Sequence, residues 1–332
     1  MSYLLGIDSG TNACKAVLFN LEGRPISSST REHPIHYPKP TWAEQDPEWW
    51  WRAAAEAVEE ALKLCHVDPR DIMGIGLDSQ REAVVLVGKN EVSLSNSIIW
   101  LDRRALGKVE EMKKKLSFED VLDRTGLPID YIFSAAKLLW IMDEAPSLLA
   151  QAEGILFPKD YIAYKLTGEA ATDYSMASRT MLFNIHRLRW DGEICGILDV
   201  PMDLLPPVKG SWEVVGEVTA EAAEVTGLKA GTPVVSGGGD RPCEALGAGV
   251  IEPGRINIGT GTGTMMTTPL MEPRIDPRGK VDCCCHVAPD TWEYEVAIIA
   301  TGASLRWFRD IFAHEEIERS RRLGGNAYDY LV

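Results

Sequence analysis

At 332 residues the chain has room for roughly two domains, and its 45% apolar and 25% charged content is that of a soluble globular protein. The net charge of −15 argues against a nucleic-acid backbone or an anionic membrane as the main partner. It leaves room for a phosphorylated small ligand, because local N–H groups and a metal ion outweigh distant surface charge.

Seven cysteines without regular spacing point to a reducing compartment. Cys283, Cys284 and Cys285 lack C-x-x-C spacing, and strand neighbours face opposite ways, so they read as packing thiols. The opening MSYLLGID has no basic region and its apolar run is broken by Asp8, so it is not read as a signal peptide. No apolar run reaches about 18 residues, the minimum for a membrane span. The expected location is the cytoplasm.

Tyr3 to Asp8 and Ala13 to Phe19 read as two strands joined by Asp-Ser-Gly-Thr, with a turn at Glu22 to Pro25. This is an antiparallel meander with a carboxylate at its first bend. Gly10 and Thr11 offer N–H groups and a hydroxyl to a phosphate, and Asp8 sits where a metal ion on that phosphate would be. An ordinary hairpin turn uses the same residues.

Asp46-Pro47-Glu48 is a helix start, with a cap, proline at the first position and an acidic first turn. The helix runs on through WWWRAAAEAVEEALKL, and Trp50, Ala54, Ala57, Ala61 and Leu64 form its apolar stripe. Ile72 to Leu77 and Ala83 to Val87 are strands, separated by Asp78-Ser79-Gln80-Arg81-Glu82. Arg81 supplies hydrogen-bond donors where Glu82 supplies acceptors, which suits a polyhydroxylated ligand; a surface ion pair is the plainer alternative. Trp100, ending the next strand, could wall such a ligand.

Helices are expected over Leu106 to Leu116, Phe118 to Thr125, Ser134 to Met142, Phe157 to Leu166, Trp190 to Leu198 and Thr219 to Thr226. Their alternation with strands makes the chain an α/β protein. Val234 to Thr268 then carries two features: a strand running through Gly237-Gly238-Gly239 into Asp240, and a strand, Arg255 to Ile258, running into Gly259-Thr260-Gly261. The second repeats the plan of the first hairpin about 250 residues later. Two phosphate-gripping hairpins predict a duplicated, two-lobed ATPase. A carboxylate, Asp240, beside an anion-binding turn makes sense if a cation or a transferable proton lies between them. No P-loop and no dinucleotide fingerprint is present. Strands follow around Asp282 to His286 and Trp292 to Ile299. Gly302 opens a helix and could offer another N–H to a phosphate. Asn326 is read as a cap, with a helix beginning over Ala327 to Val332.

The segments IDSGTNACKAVLF, WAEQDPEWWW, SQREAVVL, IIWLDRR, FSAAKLLWIMDE, TDYSMASRTMLFNIHRLRWD, GGGD and ATGASLRWFRD resemble, in order, those of the FGGY carbohydrate kinases. The resemblance spans nearly the whole chain. TDYSMASRTMLFNIHRLRWD and SQRE look most like the glycerol-kinase branch. It implies an actin-like, ribonuclease-H-like fold, a mixed sheet flanked by helices, with ATP and Mg²⁺ in a cleft between two domains. The first domain would span 1–245, and 246–332 would be the first portion of the second. The resemblance makes Asp240 the catalytic base and assigns the metal to Asp8 and Asp240. Thr11, Asn12 and Lys15 would lie along the first phosphate loop, Thr260 and Gly261 along the second. Arg81, Glu82 and Trp100 would bind the polyol.

Three departures stand out. Ile132 takes the place of a tyrosine of glycerol kinases, and Arg241 follows Asp240 where an uncharged amide is usual, so it could depress the pKa of Asp240 or reach a substrate oxygen. Family members are also longer, which puts the adenosine-gripping segments beyond Val332 and leaves a missing half or a second copy to complete the site. The expected activity is ATP-dependent phosphorylation of a hydroxyl on a small polyol or ketose. The rival readings are a non-catalytic sugar-binding or regulatory module, and an actin- or chaperone-like ATPase with a protein partner.

Overall fold

The computed structural model describes residues 2–261, 263–298 and 300–331. β1 (Tyr3–Ser9), β2 (Ala13–Asn20) and β3 (Pro25–Glu32) form the expected antiparallel meander. Along β1 the period of two buries Leu5, Ile7 and Ser9 and turns Leu4 and Asp8 outward.

α1 (Pro47–Cys65) starts as its sequence dictates: the Asp46 carboxylate accepts the Glu48 N–H at 2.9 Å. Trp50 is fully buried against the sheet, while Trp49 and Trp51 are only partly covered. The expected stripe is corrected at its end. Leu64 is 59% exposed, and Val58 and Leu62 are buried instead. The buried face is rotated towards the i+4 row from Ala54, because the sheet beneath meets that side of the helix.

β4 (Ile72–Ser79) lies parallel to β1 with Gly6, Ile7, Asp8 and Ser9 opposite Gly76, Leu77, Asp78 and Ser79. The excursion that follows holds α2 (Leu106–Lys115), α3 (Phe118–Thr125) and α4 (Ser134–Glu144), which enclose a second core around Met112, Phe133 and Leu138. α5 (Pro158–Thr167) follows. The helix expected over Trp190 to Leu198 is shorter: Arg189–Trp190 pairs as a strand with Phe183–Asn184, and the helix runs Gly192–Ile197. Asp191 decides this boundary, because its carboxylate caps the N–H groups of Glu193 and Ile194, both at 3.1 Å.

The chain returns to the first sheet with β5 (Val214–Glu217), passes through α6 (Ala220–Thr226), and adds β6 (Pro233–Val235) and β7 (Gly238–Gly239). Among the described residues this sheet has seven strands, ordered β5-β6-β4-β1-β2-β3 with β7 also on β4. α7 (Asp240–Gly247) leaves directly from β7.

A second, antiparallel sheet of four strands has the order β8 (Asn257–Thr260), β9 (Thr264–Leu270), β11 (Trp292–Ile298), β10 (Asp282–Cys285). Ile299 and Val332, to which two of the expected elements reach, lie outside the described residues. α8 (Gly302–Phe312) follows, and Asn326 caps a single 3₁₀ turn over Ala327–Tyr330.

β10 joins the second sheet to the first part of the chain. The Cys283 N–H donates to the Gly126 carbonyl at 2.9 Å, and the Cys285 N–H to the Ser178 hydroxyl at 3.1 Å. Cys283 and Cys285 pack with Ala177, Phe183 and Ile185, while Cys284 enters the core of Met181 and Leu182 from the other face. The three thiols are packing groups, free and buried.

Gly237 lets the chain turn tightly past β4. Its φ is +68°, and a Cβ there would lie 1.9 Å from the Leu77 carbonyl oxygen. Gly237→Ala is therefore expected to cost about 3 kcal/mol or more. Gly107→Ala, in a helix with open space around it, should be neutral or gain about 0.5 kcal/mol. Urea unfolding midpoints of the two variants check both figures.

Candidate active site

Three parallel strand ends bring the acids together. Asp8 on β1 and Gly238 on β7 are each in register with Asp78 on β4, and Asp240 begins α7 two residues after Gly238. Asp78 belongs to this group although the sequence reading passed over it. Its signal was the repeat of Gly-Ile-Asp-Ser at 6–9 as Gly-Leu-Asp-Ser at 76–79. The Asp8 and Asp78 carboxyls share a hydrogen bond. Burial, then the charge of Asp8, drives Asp78 well above the ordinary carboxylate range. Although Asp8 faces outward, the protein around its carboxyl desolvates it and raises its pKa as well, against the pull of the Asp78 hydrogen bond, Lys15 and Arg241.

The first hairpin is more internally bonded than its sequence promised. The Gly10 N–H closes the turn onto the Ala13 carbonyl at 3.0 Å. The Thr11 hydroxyl accepts from the Trp100 indole N–H at 2.9 Å, so Trp100 braces the hairpin. Asn12 and Lys15 are exposed, with Lys15 opposite Asp8 across β1 and β2. In the second hairpin the Gly261 N–H closes onto the Gly263 carbonyl at 2.8 Å, next to Thr262, which lies outside the described residues. Thr264 Oγ1 links Thr260 Oγ1 (3.4 Å) to Thr301 Oγ1 (2.8 Å), just before Gly302 at the start of α8. Gly259 lies so close to α7 that a Cβ would come within 2.7 Å of a Glu244 carboxylate oxygen. Hairpin, α7 and α8 thus meet at one edge.

On the other side of Asp240 lies a buried ion-pair network. Arg81 is 4% exposed; its Nη2 donates to both Glu295 oxygens, at 2.8 and 2.7 Å, and its Nε lies 3.3 Å from Asp240 Oδ1. Its Nη1 has no partner among the described residues. Glu82 holds a left-handed backbone (φ +56°), a strained choice for a non-glycine residue at such a turn. Its carboxylate accepts from Arg179 Nε, and Arg179 Nη1 donates to Asp282 Oδ2 at 2.8 Å. Lys137, buried nearby, donates to the carbonyl of Ile132. Arg241 turns along α7 to pair with Glu244 at 2.9 Å. The structure therefore gathers Arg81, Glu82 and Asp240, and adds Arg179, Asp282 and Glu295. The sequence signal for Glu295 was two acids, Glu293 and Glu295, on one face of an otherwise apolar strand.

The sequence pattern of the FGGY family of carbohydrate kinases, N-terminal domain, matches residues 3–247. The chain belongs to the FGGY family of carbohydrate kinases. It is 36% identical to the glycerol kinase of Thermococcus onnurineus over 99% of this chain and 68% of that protein. It is 33% identical to the xylulose kinase of Bacillus subtilis over 95% of this chain and 63% of that protein. The crystal structure of xylulose kinase from Rhodospirillum rubrum superposes with a TM-score of 0.91 at 28% identity, covering 99% of this chain and 65% of that one. The chain thus spans 63% to 68% of the length of these relatives. The fold of this FGGY chain is the actin-like ATPase fold, a mixed sheet with flanking helices.

Buried hydrogen bonds fix the strand that carries Asp240. The Gly239 N–H donates to Ser175 Oγ at 2.9 Å, Ser175 Oγ donates to Asp173 at 2.6 Å, and Asp173 pairs with Lys159 at 3.1 Å. Asp240 keeps 35% of its side chain open, yet the protein crowded around its carboxyl raises its pKa, with Arg81 and Arg241 opposing. Burial also pushes Glu295 up, but Arg81 and Arg179 outweigh it and hold the carboxyl below the usual range.

Glu293 behaves in the opposite way. It is fully buried, neither carboxyl oxygen has a partner among the described residues, and burial followed by the charge of Glu295 raises its pKa. The folded form therefore keeps its proton at pH values where the unfolded carboxyl, with an ordinary value near 4.5, has lost it. Its stability contribution is present at low pH and is lost as pH rises through the folded pKa. Glu293→Gln, which cannot ionise, should melt higher than the native chain, with a larger gap at about pH 7.5 than at about pH 5. Thermal melts across that range decide the sign; a gap that narrows with pH would show Glu293 to be favourably charged.

Proposed function

We propose that this chain binds a small polyol or ketose and the phosphates of ATP, and that Asp240 is the general base that accepts the proton of the attacking hydroxyl. The observation that carries this reading is the position of Asp240. It stands between the buried cluster of Arg81 and Glu82 and the strand ends that carry Asp8 and Asp78, at the start of α7, whose Glu244 lies against the second Gly-Thr hairpin.

In this reading Arg81, Glu82 and Asp240 hold the acceptor, with Trp100 and Arg241 at its margin. Thr11, Asn12 and Lys15 line the phosphates from one hairpin, beside Gly10. Gly259, Thr260, Gly261 and the helix start at Gly302 line them from the other. The first domain takes residues 1–245, and 246–332 belong to the second.

The donor set fits Mg²⁺, a hard cation that prefers oxygen. Among the described residues no three His, Cys, Asp or Glu side chains are placed to chelate a metal unaided. Mg²⁺ is ordinarily held by one or two carboxylates together with substrate phosphates and waters, and Asp8 and Asp240 supply such carboxylates here. When bound, the ion neutralises charge on the phosphates.

The rest is positioning. Asp240 accepts the hydroxyl proton as the acceptor oxygen bonds to the γ-phosphorus and the bond to the ADP oxygen breaks. Its raised pKa brings the base nearer to working pH than an ordinary aspartate. The buried brace of Ser175, Asp173 and Lys159 keeps the Asp240 backbone in place.

Asp240→Asn preserves shape and removes the base. With glycerol, erythritol, xylulose and ribulose as acceptors, ADP release should fall by about a thousandfold, while acceptor binding by calorimetry persists. Undiminished turnover in this variant would overturn the assignment.

A further inference from the structure

We propose that the acceptor site is built for a neutral polyhydroxylated molecule and against a sugar acid, and that Glu295 is the residue that enforces this choice. The inference rests on the reading of Arg81, Glu82 and Asp240 as the acceptor site.

Guanidinium groups are the usual receptors for a substrate carboxylate, through paired N–H donors. The two guanidiniums of the buried cluster are already taken, and a third, Arg241 at the margin, is paired with Glu244 at 2.9 Å. Arg81 Nη2 is held by both oxygens of Glu295, and its Nε faces Asp240 at 3.3 Å. Arg179 Nε is held by Glu82, and its Nη1 by Asp282 at 2.8 Å. Within the cluster the remaining cation, Lys137, is buried and donates to the Ile132 carbonyl. In this cluster two guanidiniums thus stand among four carboxylates, and Glu293 adds a fifth carboxyl with no partner among the described residues.

An incoming carboxylate would meet a surplus of acids in a mostly buried cluster whose cations are already paired. Like charges brought together across a binding surface are strongly disfavoured, which is how sites reject a wrong partner. A hydroxyl meets no such penalty. Arg81 Nη1 is a buried donor without a partner among the described residues, and the Glu82 and Asp240 carboxylates accept. Hydroxyls both donate and accept, so they complete this set without adding charge.

Glu295 has the decisive place. It lies 214 residues from Arg81 along the chain, on β11 of the second sheet, and is almost completely buried. Replacing it with glutamine keeps the shape and frees the charge of Arg81.

Matched pairs test the idea: xylitol against xylonate, and glucitol against gluconate, titrated calorimetrically into the full 332-residue chain. In the native chain each neutral member should bind at least about tenfold more tightly than its acid. Glu295→Gln should tighten acid binding by about tenfold and close the gap. Asp282→Asn, which frees Arg179 from a more exposed position, should shift selectivity the same way and stands in if the first variant does not fold. Acids that bind the native chain as well as their neutral counterparts overturn the proposal. So does a gap that neither variant changes. If none of the four binds the native chain, the acceptor-site reading itself fails. A kinase reading that fails only at Asp240→Asn leaves the selectivity result standing.

Discussion

The site depends on the parallel register of β1 and β4. Because side chains alternate along a strand, a slip of one residue would send Asp8 and Asp78 to opposite faces. Leu5, Ile7, Ile75 and Leu77 hold the register by burying their side chains, so an apolar pattern sets the positions of two acids. The same strand then sets the third. β7 pairs with β4 so that Gly238 lies beside Asp78, and the next turn of chain delivers Asp240. Glycine is needed at 238 and 239 for space: a Cβ would press on Val287 at one and on Arg81 at the other.

Arg81 links this edge to the second sheet. A buried guanidinium is costly unless its N–H groups find partners, and the decisive partner, Glu295, comes from β11. Arg179 makes the matching link from the other direction, joining Glu82 on the first part to Asp282 on β10. The apolar packing of the three cysteines holds the same junction from behind. Ion pairs choose the alignment and the packed thiols supply adhesion, since buried pairs contribute specificity more dependably than stability.

Much of this was legible in the sequence, and the exceptions have physical causes. Period-two patterns located β1, β2 and β4, and Asp46-Pro47 located the start of α1, because both signals are local. Asp240 and the Arg81-Glu82 pair were legible because glycines and adjacent opposite charges are unusual at strand ends. Arg179, Asp282 and Glu295 were not, because their meaning comes from contacts across the fold. Asp78 became meaningful only through its register with Asp8. The indole N–H of Trp100 bonds the first hairpin through Thr11, a contact between residues 89 apart that sequence spacing does not reveal. Leu64 failed because periodicity gives the width of a helix face but not how the neighbouring sheet is tilted beneath it.

The distribution of cations completes the picture. At the Arg81 cluster every cation is occupied by a carboxylate or a carbonyl. At the opposite edge Lys15 is exposed, and among the described residues it has no ion-pair partner, although its charge is felt by Asp8. The proposed pair of substrates, one polyanionic and one hydroxylated, would need this asymmetry. Free positive charge on both sides would let the phosphates of one substrate occupy the site of the other. With the inner cations neutralised, the proposed reading places the polyanion at the hairpins and leaves the buried side to the hydroxyl-bearing partner. Asp240 stands between Arg81 and the Asp8–Asp78 pair, the place the proposed base needs if it is to take the hydroxyl proton as the oxygen meets the phosphorus.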